Sequence, residues 1–248
     1  MRVGVFWFFL ALAAVTSGRM WTGLLWAVVA GMAGYQIVAA WQENSDSGRS
    51  GSGHKDGPEG GFQHRVIAMV CAGAIPLLAA YSTGSAGLGL IVVPLLVVFT
   101  HVFSGQRPAD ATATLIGAIV PAISAASVVF AVRIDLWAGL FLVVAVSLYD
   151  AGSFLLGADA GSRWEGPVAG IIGALAVTFT MAAFHPSPFD GASAWIAGGV
   201  VALTCPLGQM LAGVFLPEPT TRARGLRRLD AYLVAGPAFL ACAAAASL

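Results

Sequence analysis

The sequence predicts an all-α, polytopic integral membrane protein with about nine transmembrane helices. Of its 248 residues, 58% are hydrophobic and only 10% are charged, whereas a soluble domain carries about 25% charged residues. Apolar runs of roughly 17–25 residues, the length that spans a bilayer as a helix, recur along the chain. The formal net charge is zero and gives no indication of nucleic-acid binding, so we expect membrane lipid and no nucleic acid as a partner.

The first two apolar runs predict a pair of N-terminal transmembrane helices within residues 1–41. The run at 3–17 is short, and Arg2 before it and small residues behind it also fit a signal peptide. We favour a retained helix because the second run, 20–41, follows after only a few residues. Whether the first helix is cleaved stays open.

Residues 42–64 interrupt the apolar pattern. They are rich in Gly, Ser and charged side chains, a composition that cannot bury enough apolar surface to order itself. We therefore predict a flexible cytoplasmic loop here, followed by a transmembrane domain over 65–248. The spans predicted in that domain are 65–81, 86–104, 112–131, 134–157, 166–184, 193–216 and 229–247.

Small and kinking residues occur in the last spans. Gly166, Gly170 and Gly173 permit close approach of a neighbouring helix. Pro206 lies three residues before Gln209, and proline within a span often bends the helix. This pair could line a cavity, or it could be a packing kink beside a hydrogen bond between helices.

The positive charges predict the orientation in the membrane. With nine spans, Arg19 and Arg133 lie in connections on one side, and the other ten of the twelve Lys and Arg residues lie on the opposite side. Positive charge is concentrated on the cytoplasmic side of membrane proteins. We therefore expect a cytoplasmic N-terminus, in a bacterial plasma membrane, with the connections 157–166 and 217–229 on the cytoplasmic face.

Carboxylates and arginines gather at that predicted face. Asp150 ends a long apolar run, where an ionisable group is costly and usually functional, and Asp230 begins the last span. Carboxylates hold Mg²⁺ and cations hold phosphate in sites that transfer phosphoryl groups. Asp230 could instead be a helix N-cap, and the arginines could instead serve topology and anionic headgroups. His101 and His185 have no second metal ligand at helical spacing, so we interpret each as a structural or interfacial histidine.

Four segments in the last hundred residues follow one another in a familiar order. They are Asp-Ala-Gly-Ser-Phe at 150–154, Ser-Arg-Trp-Glu-Gly at 162–166, Leu-Gly-Gln at 207–209 and Gly-Leu-Arg-Arg-Leu-Asp at 225–230. This order resembles the phosphatidate cytidylyltransferase (CDP-diacylglycerol synthase) family. The resemblance covers residues 134–248, and the N-terminal half is similar only in architecture.

The resemblance implies transfer of CMP from CTP to phosphatidate, which gives CDP-diacylglycerol and pyrophosphate at the cytoplasmic face. It implies Asp150 and Asp230 as catalytic residues that also bind Mg²⁺, with Gln209 as a further, weak metal ligand. The residues implied to bind CTP or the lipid are Ser162, Arg163, Trp164, Glu165, Gly166 and Arg228.

Two departures keep other functions open. Gln209 stands where the family has an acid, and Arg227 replaces another aspartate. An amide oxygen can bind Mg²⁺ but brings no negative charge. The alternative is therefore a catalytically inactive relative that binds lipid or a partner in a regulatory or structural role. A small-solute transporter is a further alternative, and a homodimer is an alternative to a monomer.

Overall fold

The prediction of an all-α membrane protein is confirmed by a computed structural model, which describes residues 2–47, 58–103, 108–157, 161–162, 164–217 and 223–247. These residues form nine α-helices and one 3-10 turn, with no strand among them. The helices are α1 (Arg2–Thr16), α2 (Arg19–Ser47), α3 (Pro58–Tyr81), α4 (Thr83–Phe103), α5 (Pro108–Ile134), α6 (Leu136–Gly157), α7 (Glu165–Phe184), α8 (Gly191–Val214) and α9 (Tyr232–Ala246). The 3-10 turn is Leu226–Arg228.

Eight segments are long and apolar enough to cross a membrane, the last of them combining the 3-10 turn with α9. The exception is α1, an apolar helix of 15 residues. At roughly 1.5 Å per residue, α1 is shorter than the hydrocarbon thickness of about 30 Å. The count of about nine helices is therefore confirmed, and α1 is the one whose length does not match a full span.

The predicted loop at 42–64 is shorter than the composition indicates. Helix α2 continues to Ser47 and α3 begins at Pro58, so 42–47 and 58–64 are helical, and 48–57 lie outside the described residues. The Nε2 of Gln42 donates to the carbonyl of Gly61 over 3.0 Å, and the Nε of Arg65 donates to the Oε1 of Gln42 over 2.6 Å. These bonds join the two helix ends, which explains why helical structure extends past the apolar run.

The core is built on close contact between helix backbones. A Cβ placed on Gly34 of α2 would come within 2.5 Å of the carbonyl oxygen of Gly117 on α5. The predicted close packing after residue 166 is also found, because a Cβ on Gly173 of α7 would lie 2.7 Å from the carbonyl oxygen of Leu148 on α6. Small residues at such crossings let the helix backbones approach closely. The resulting van der Waals packing holds helices together in lipid, where no hydrophobic effect acts between them.

Helix α4 lies at the periphery of the bundle, and among the described residues its main packing partners are α3 and α5. Its outward stripe consists of large apolar side chains with i, i+3 and i+4 spacing, which are Leu88, Ile91, Leu95, Phe99 and Val102. In a membrane this stripe faces the acyl chains, so its exposure needs no protein partner.

Contacts between helix ends show which of these ends lie at the same end of the bundle. At one end of the bundle Gln42, late in α2, contacts Gly61, early in α3. At the opposite end Arg133 of α5 donates through Nη1 to the carbonyls of Ala80 and Tyr81, over 3.3 and 3.2 Å. The carbonyls that end α3 are thus satisfied by a cation, which also suits the negative end of the helix dipole. We call the end that holds residue 42 the Gln42 end.

Candidate functional site

Asp150 lies in the last two turns of α6, on the inner side of the bundle, and is half-buried. The Nε2 of Gln209, on α8, donates to the Oδ1 of Asp150 over 3.2 Å. The two residues are 59 positions apart in the sequence. This bond places the predicted carboxylate and the predicted amide ligand in one polar cluster.

Tyr149 completes the bonding of the same amide. Its hydroxyl donates to the Oε1 of Gln209 over 3.2 Å, and its side chain is fully buried. Two consecutive residues of α6 therefore bond to the oxygen and the nitrogen of the same amide group on α8. Buried polar groups without partners are costly, and this arrangement leaves none on the amide of Gln209. Of the two expectations for the Pro206 and Gln209 pair, the hydrogen bond between helices is the one observed.

Asp230 lies in the turn between the 3-10 segment and α9, not inside the last helix. Its Oδ1 accepts from the backbone N–H of Ala231 over 2.7 Å. The N-cap residue of α9 is Ala231, without a side-chain cap bond, so the alternative interpretation of Asp230 as the N-cap is wrong. Asp230 lies one residue earlier and satisfies the N–H of the cap residue instead.

Charged groups from this turn face Asp150. Asp150 interacts electrostatically with Asp230 and with Arg228, and Asp230 interacts with Arg227 and Arg228. Arg228 and Asp230 are half-buried, whereas Arg227 is exposed. Two carboxylates are thus held near each other, and Arg228 interacts with both of them. We call Tyr149, Asp150, Gln209, Arg228 and Asp230 the polar cluster.

Glycine allows α8 to reach this turn. A Cβ on Gly208 would lie 2.5 Å from the carbonyl oxygen of Asp230 and 3.0 Å from that of Ala231. No side chain fits in that space without moving the turn. The Leu-Gly-Gln segment therefore brings Gln209 to Asp150 and the backbone of α8 to Asp230 at the same time.

Helix α2 also reaches the turn, which the sequence did not reveal. The backbone N–H of Gly225 donates to the Oε1 of Gln36 over 2.8 Å, and the Nε1 of Trp41 donates to the carbonyl of Phe215 over 3.0 Å. In the sequence, the contact of Gln36 was indicated by the presence of a glutamine inside an apolar run. Its partner is 189 positions away, so the signal alone could not identify the contact.

The segment predicted to bind substrate, 162–166, precedes α7 and forms its first residues. Ser162, Trp164 and Glu165 are exposed, and among the described residues no hydrogen bond joins them to Asp150, Gln209 or Asp230. Gly166 packs on the end of α6, where its Cβ would lie 3.0 Å from the carbonyl oxygen of Ser153. Arg163 lies outside the described residues. The structure thus brings Asp150, Gln209, Arg228 and Asp230 together and shows no hydrogen bond from the described residues of 162–166 to them.

The polar cluster offers two carboxylates, Asp150 and Asp230, to a magnesium ion that would share its coordination with a phosphate ligand. Among the described residues, no group of three or more His, Cys, Asp or Glu side chains could hold a metal. Mg²⁺ is commonly bound through one or two carboxylates together with substrate phosphates, and Asp150 and Asp230 provide two. Gln209 bonds to Asp150 through its nitrogen and to Tyr149 through its oxygen, so its amide is already engaged with protein groups.

A second polar group lies at the Gln42 end, where α3, α4 and α5 meet. The rings of His64 and His101 stack with centroids 4.6 Å apart, and both side chains are buried. The Nδ1 of His101 is 2.8 Å from the carbonyl oxygen of Val97 in its own helix, and its Nε2 is 3.4 Å from the Oγ1 of Thr114. These contacts agree with the interpretation of His101 as a structural residue.

A scan against models of known protein families finds no match to this chain, and a search of curated proteins finds no significant relative. The class of protein defined by the structure is therefore a polytopic helical membrane protein with a polar cluster between α6, α8 and the start of α9. The resemblance to one enzyme family rests on the four short segments alone.

Proposed function

We propose that the protein is a membrane enzyme of the phosphatidate cytidylyltransferase type, active in phospholipid biosynthesis. The observation that carries the proposal is the convergence of three separate motif positions. Asp150, Gln209 and Asp230 come from three segments of the chain and meet in one polar cluster. Chance similarity of short segments would not require these positions to be neighbours in space.

The charge distribution supports a cytoplasmic location for this site. Ten of the twelve Lys and Arg residues fall on the side assigned to the cytoplasm. Gln36 of α2 contacts Gly225, and Gly208 of α8 contacts Asp230, both in the segment before α9, while Gln209 of α8 contacts Asp150 of α6. This pattern is expected where successive helices alternate in direction and these ends share one face.

In the proposed reaction, a phosphate oxygen of phosphatidate attacks the α-phosphorus of CTP. A phosphorus–oxygen bond forms there, the bond to the oxygen that bridges the α- and β-phosphates breaks, and pyrophosphate leaves with that electron pair. Asp150 and Asp230 would hold Mg²⁺, which when bound offsets negative charge on the phosphates. Arg228 would bind a phosphate oxygen, and Gln209 and Tyr149 would keep the carboxylate of Asp150 in a fixed orientation.

The test is CTP turnover by purified protein in lipid, with labelled CTP, Mg²⁺ and phosphatidate. We expect a CDP-lipid product that falls by about a hundredfold or more in Asp150→Asn and Asp230→Asn, since each change keeps the shape but removes a charge. Asp190→Asn is the matched control, because Asp190 precedes α8 at the opposite end from Gln209. An absence of product, with an active synthase run in parallel, would reject the proposal.

One observation favours a second candidate, an inactive relative that binds lipid or a partner. Gln209 occupies the position of a family acid and donates to Asp150, so this carboxylate has a hydrogen-bond partner in the protein without a bound metal ion. This candidate predicts no CTP-dependent product and no rise in unfolding temperature with Mg²⁺ and CTP. A rise in unfolding temperature that is lost in Asp150→Asn would exclude it.

A further inference from the structure

We infer that Gln36 of α2 is a positioning residue for the turn that carries Arg228 and Asp230, so that the N-terminal helices form part of the site. The effect on catalysis rests on the proposed function, whereas the effect on the turn does not. The inference begins from the bond between the Oε1 of Gln36 and the N–H of Gly225, which is 2.8 Å long.

The turn lies directly on the backbone of α2. A Cβ on Gly225 would lie 2.8 Å from the backbone nitrogen of Ala33 and 3.0 Å from its Cα. Gly225 and Leu226 are buried there. A residue without a side chain at 225 is therefore what allows the N–H to reach the side chain of Gln36.

Backbone bonds transmit this attachment from Gly225 to the two charged residues. The N–H of Arg227 donates to the carbonyl of Ala223, and that of Arg228 to the carbonyl of Gly225, each over 3.1 Å. The N–H groups of Leu229 and Asp230 both donate to the carbonyl of Leu226 over 2.8 Å. Leu229 is fully buried. Because the segment 223–230 is bonded in this way along its length, a shift of Gly225 would shift Arg228 and Asp230 with it.

A second side chain of α2 holds the other side of the same connection. Trp41 donates through Nε1 to the carbonyl of Phe215 over 3.0 Å, and Phe215 is the C-cap of α8. Helix α2 thus contacts both the end of α8 and the turn before α9. Gln36 differs from Trp41 in that its bond is to the segment that carries the charged residues of the polar cluster.

The experiment compares Gln36→Leu, which removes the acceptor, with Gln36→Glu, which keeps an oxygen at the same place. Met32→Leu is the control, because Met32 is one turn earlier on α2 and is 51% exposed. Hydrogen exchange is measured by mass spectrometry on the full chain in lipid nanodiscs. We expect exchange in segment 223–231 to rise about tenfold or more in Gln36→Leu, and to stay at the wild-type rate in Gln36→Glu and Met32→Leu. Exchange in α4 serves as the reference for general loosening.

CTP turnover by the same variants separates a positioning role from a packing role. In an active protein, displacement of Arg228 should raise the KM for CTP about tenfold in Gln36→Leu, and Gln36→Glu should restore it. Unchanged exchange in segment 223–231 would overturn the inference whatever the turnover, and so would raised exchange with unchanged kcat and KM. If the wild type has no turnover, the proposed function fails, and the exchange in Gln36→Leu and Gln36→Glu still decides whether Gln36 holds the turn.

Discussion

Gln209 and Asp150 are bonded to each other across the interface of α6 and α8, with 3.2 Å between Nε2 and Oδ1. Neither residue lies in a loop, so their relative position depends on how the two helices pack. The backbone of α8 is also in contact with Asp230 at Gly208. One segment of α8 therefore sets the position of both carboxylates, and changes in this segment should alter the whole polar cluster.

Replacement of Gln209 by methionine should destabilise the protein. Methionine has a similar length but removes the hydrogen bonds of Gln209 to the Tyr149 hydroxyl and to one oxygen of Asp150, and such a loss costs about 1–3 kcal/mol. The measurement is the free energy of unfolding in detergent micelles. Met210→Leu is the control, since the adjacent Met210 is 74% exposed. A loss in Gln209→Met no larger than in the control would show that the bonds contribute nothing.

Tyr149 and Gln209 should be energetically coupled. Tyr149→Phe removes only the hydroxyl that donates to Oε1 of Gln209, so its effect should largely vanish once Gln209 is methionine. A double-mutant cycle of unfolding free energies should give a coupling of about 0.5–1.5 kcal/mol, the net contribution of one hydrogen bond. Additive losses in the double variant would mean that the two side chains stabilise the protein independently.

Gly208→Ala should destabilise the protein and lower any turnover. The new Cβ would lie 2.5 Å from the carbonyl oxygen of Asp230, so the turn must move, and overpacking of this kind costs about 1–3 kcal/mol. The matched control is Gly199→Ala on the same helix, where nothing lies within 4 Å of the new Cβ.

Alanine at position 199 should be neutral or stabilising, because alanine is the better helix former by about 0.5–1 kcal/mol. Unfolding free energies of the two variants in the same detergent give the comparison. Equal values for the two variants would mean that the space beside Gly208 adapts freely.

The helices themselves could be predicted because each is a long apolar run, and this signal is local. Their ends could not, since a polar segment can stay helical when a neighbour bonds to it, as Gln42 does to Gly61. For the same reason the sequence placed Asp230 at the start of the last helix, whereas the structure places it in the preceding turn. Local composition does not contain these contacts.

The site was partly predictable for a similar reason. Asp150 stood out because a charge is rare in an apolar run, and motif order indicated Gln209, Arg228 and Asp230. The role of Gln36 depends on a partner 189 positions away, and the bond of Tyr149 depends on the packing of α6 on α8. The segment 162–166 was grouped with the others by motif order, and no hydrogen bond joins its described side chains to the polar cluster.

The cap of α8 should make a contribution to stability that depends on pH. The Oδ1 of Asp190 accepts from the N–H and the hydroxyl of Ser193, over 2.7 and 2.5 Å, and these bonds lower the pKa of the Asp190 carboxyl. A carboxyl with a lowered pKa in the folded state stabilises fully above its unfolded pKa, which is about 3.9. That stabilisation is lost as the pH falls through the folded pKa.

Asp190→Asn separates this titration from the cap itself, because asparagine also caps helices but does not titrate. We expect the chain that keeps Asp190 to unfold at a higher temperature than the chain with Asp190→Asn at neutral pH, and the difference to shrink as the pH falls below about 4. Both chains should carry His185→Asn, since His185 interacts electrostatically with Asp190 and would titrate in the same series. Asparagine is also tolerated at the left-handed backbone position of His185, where φ is 49°. A difference that stays constant from neutral to acidic pH would show that the charge of Asp190 contributes nothing to the start of α8.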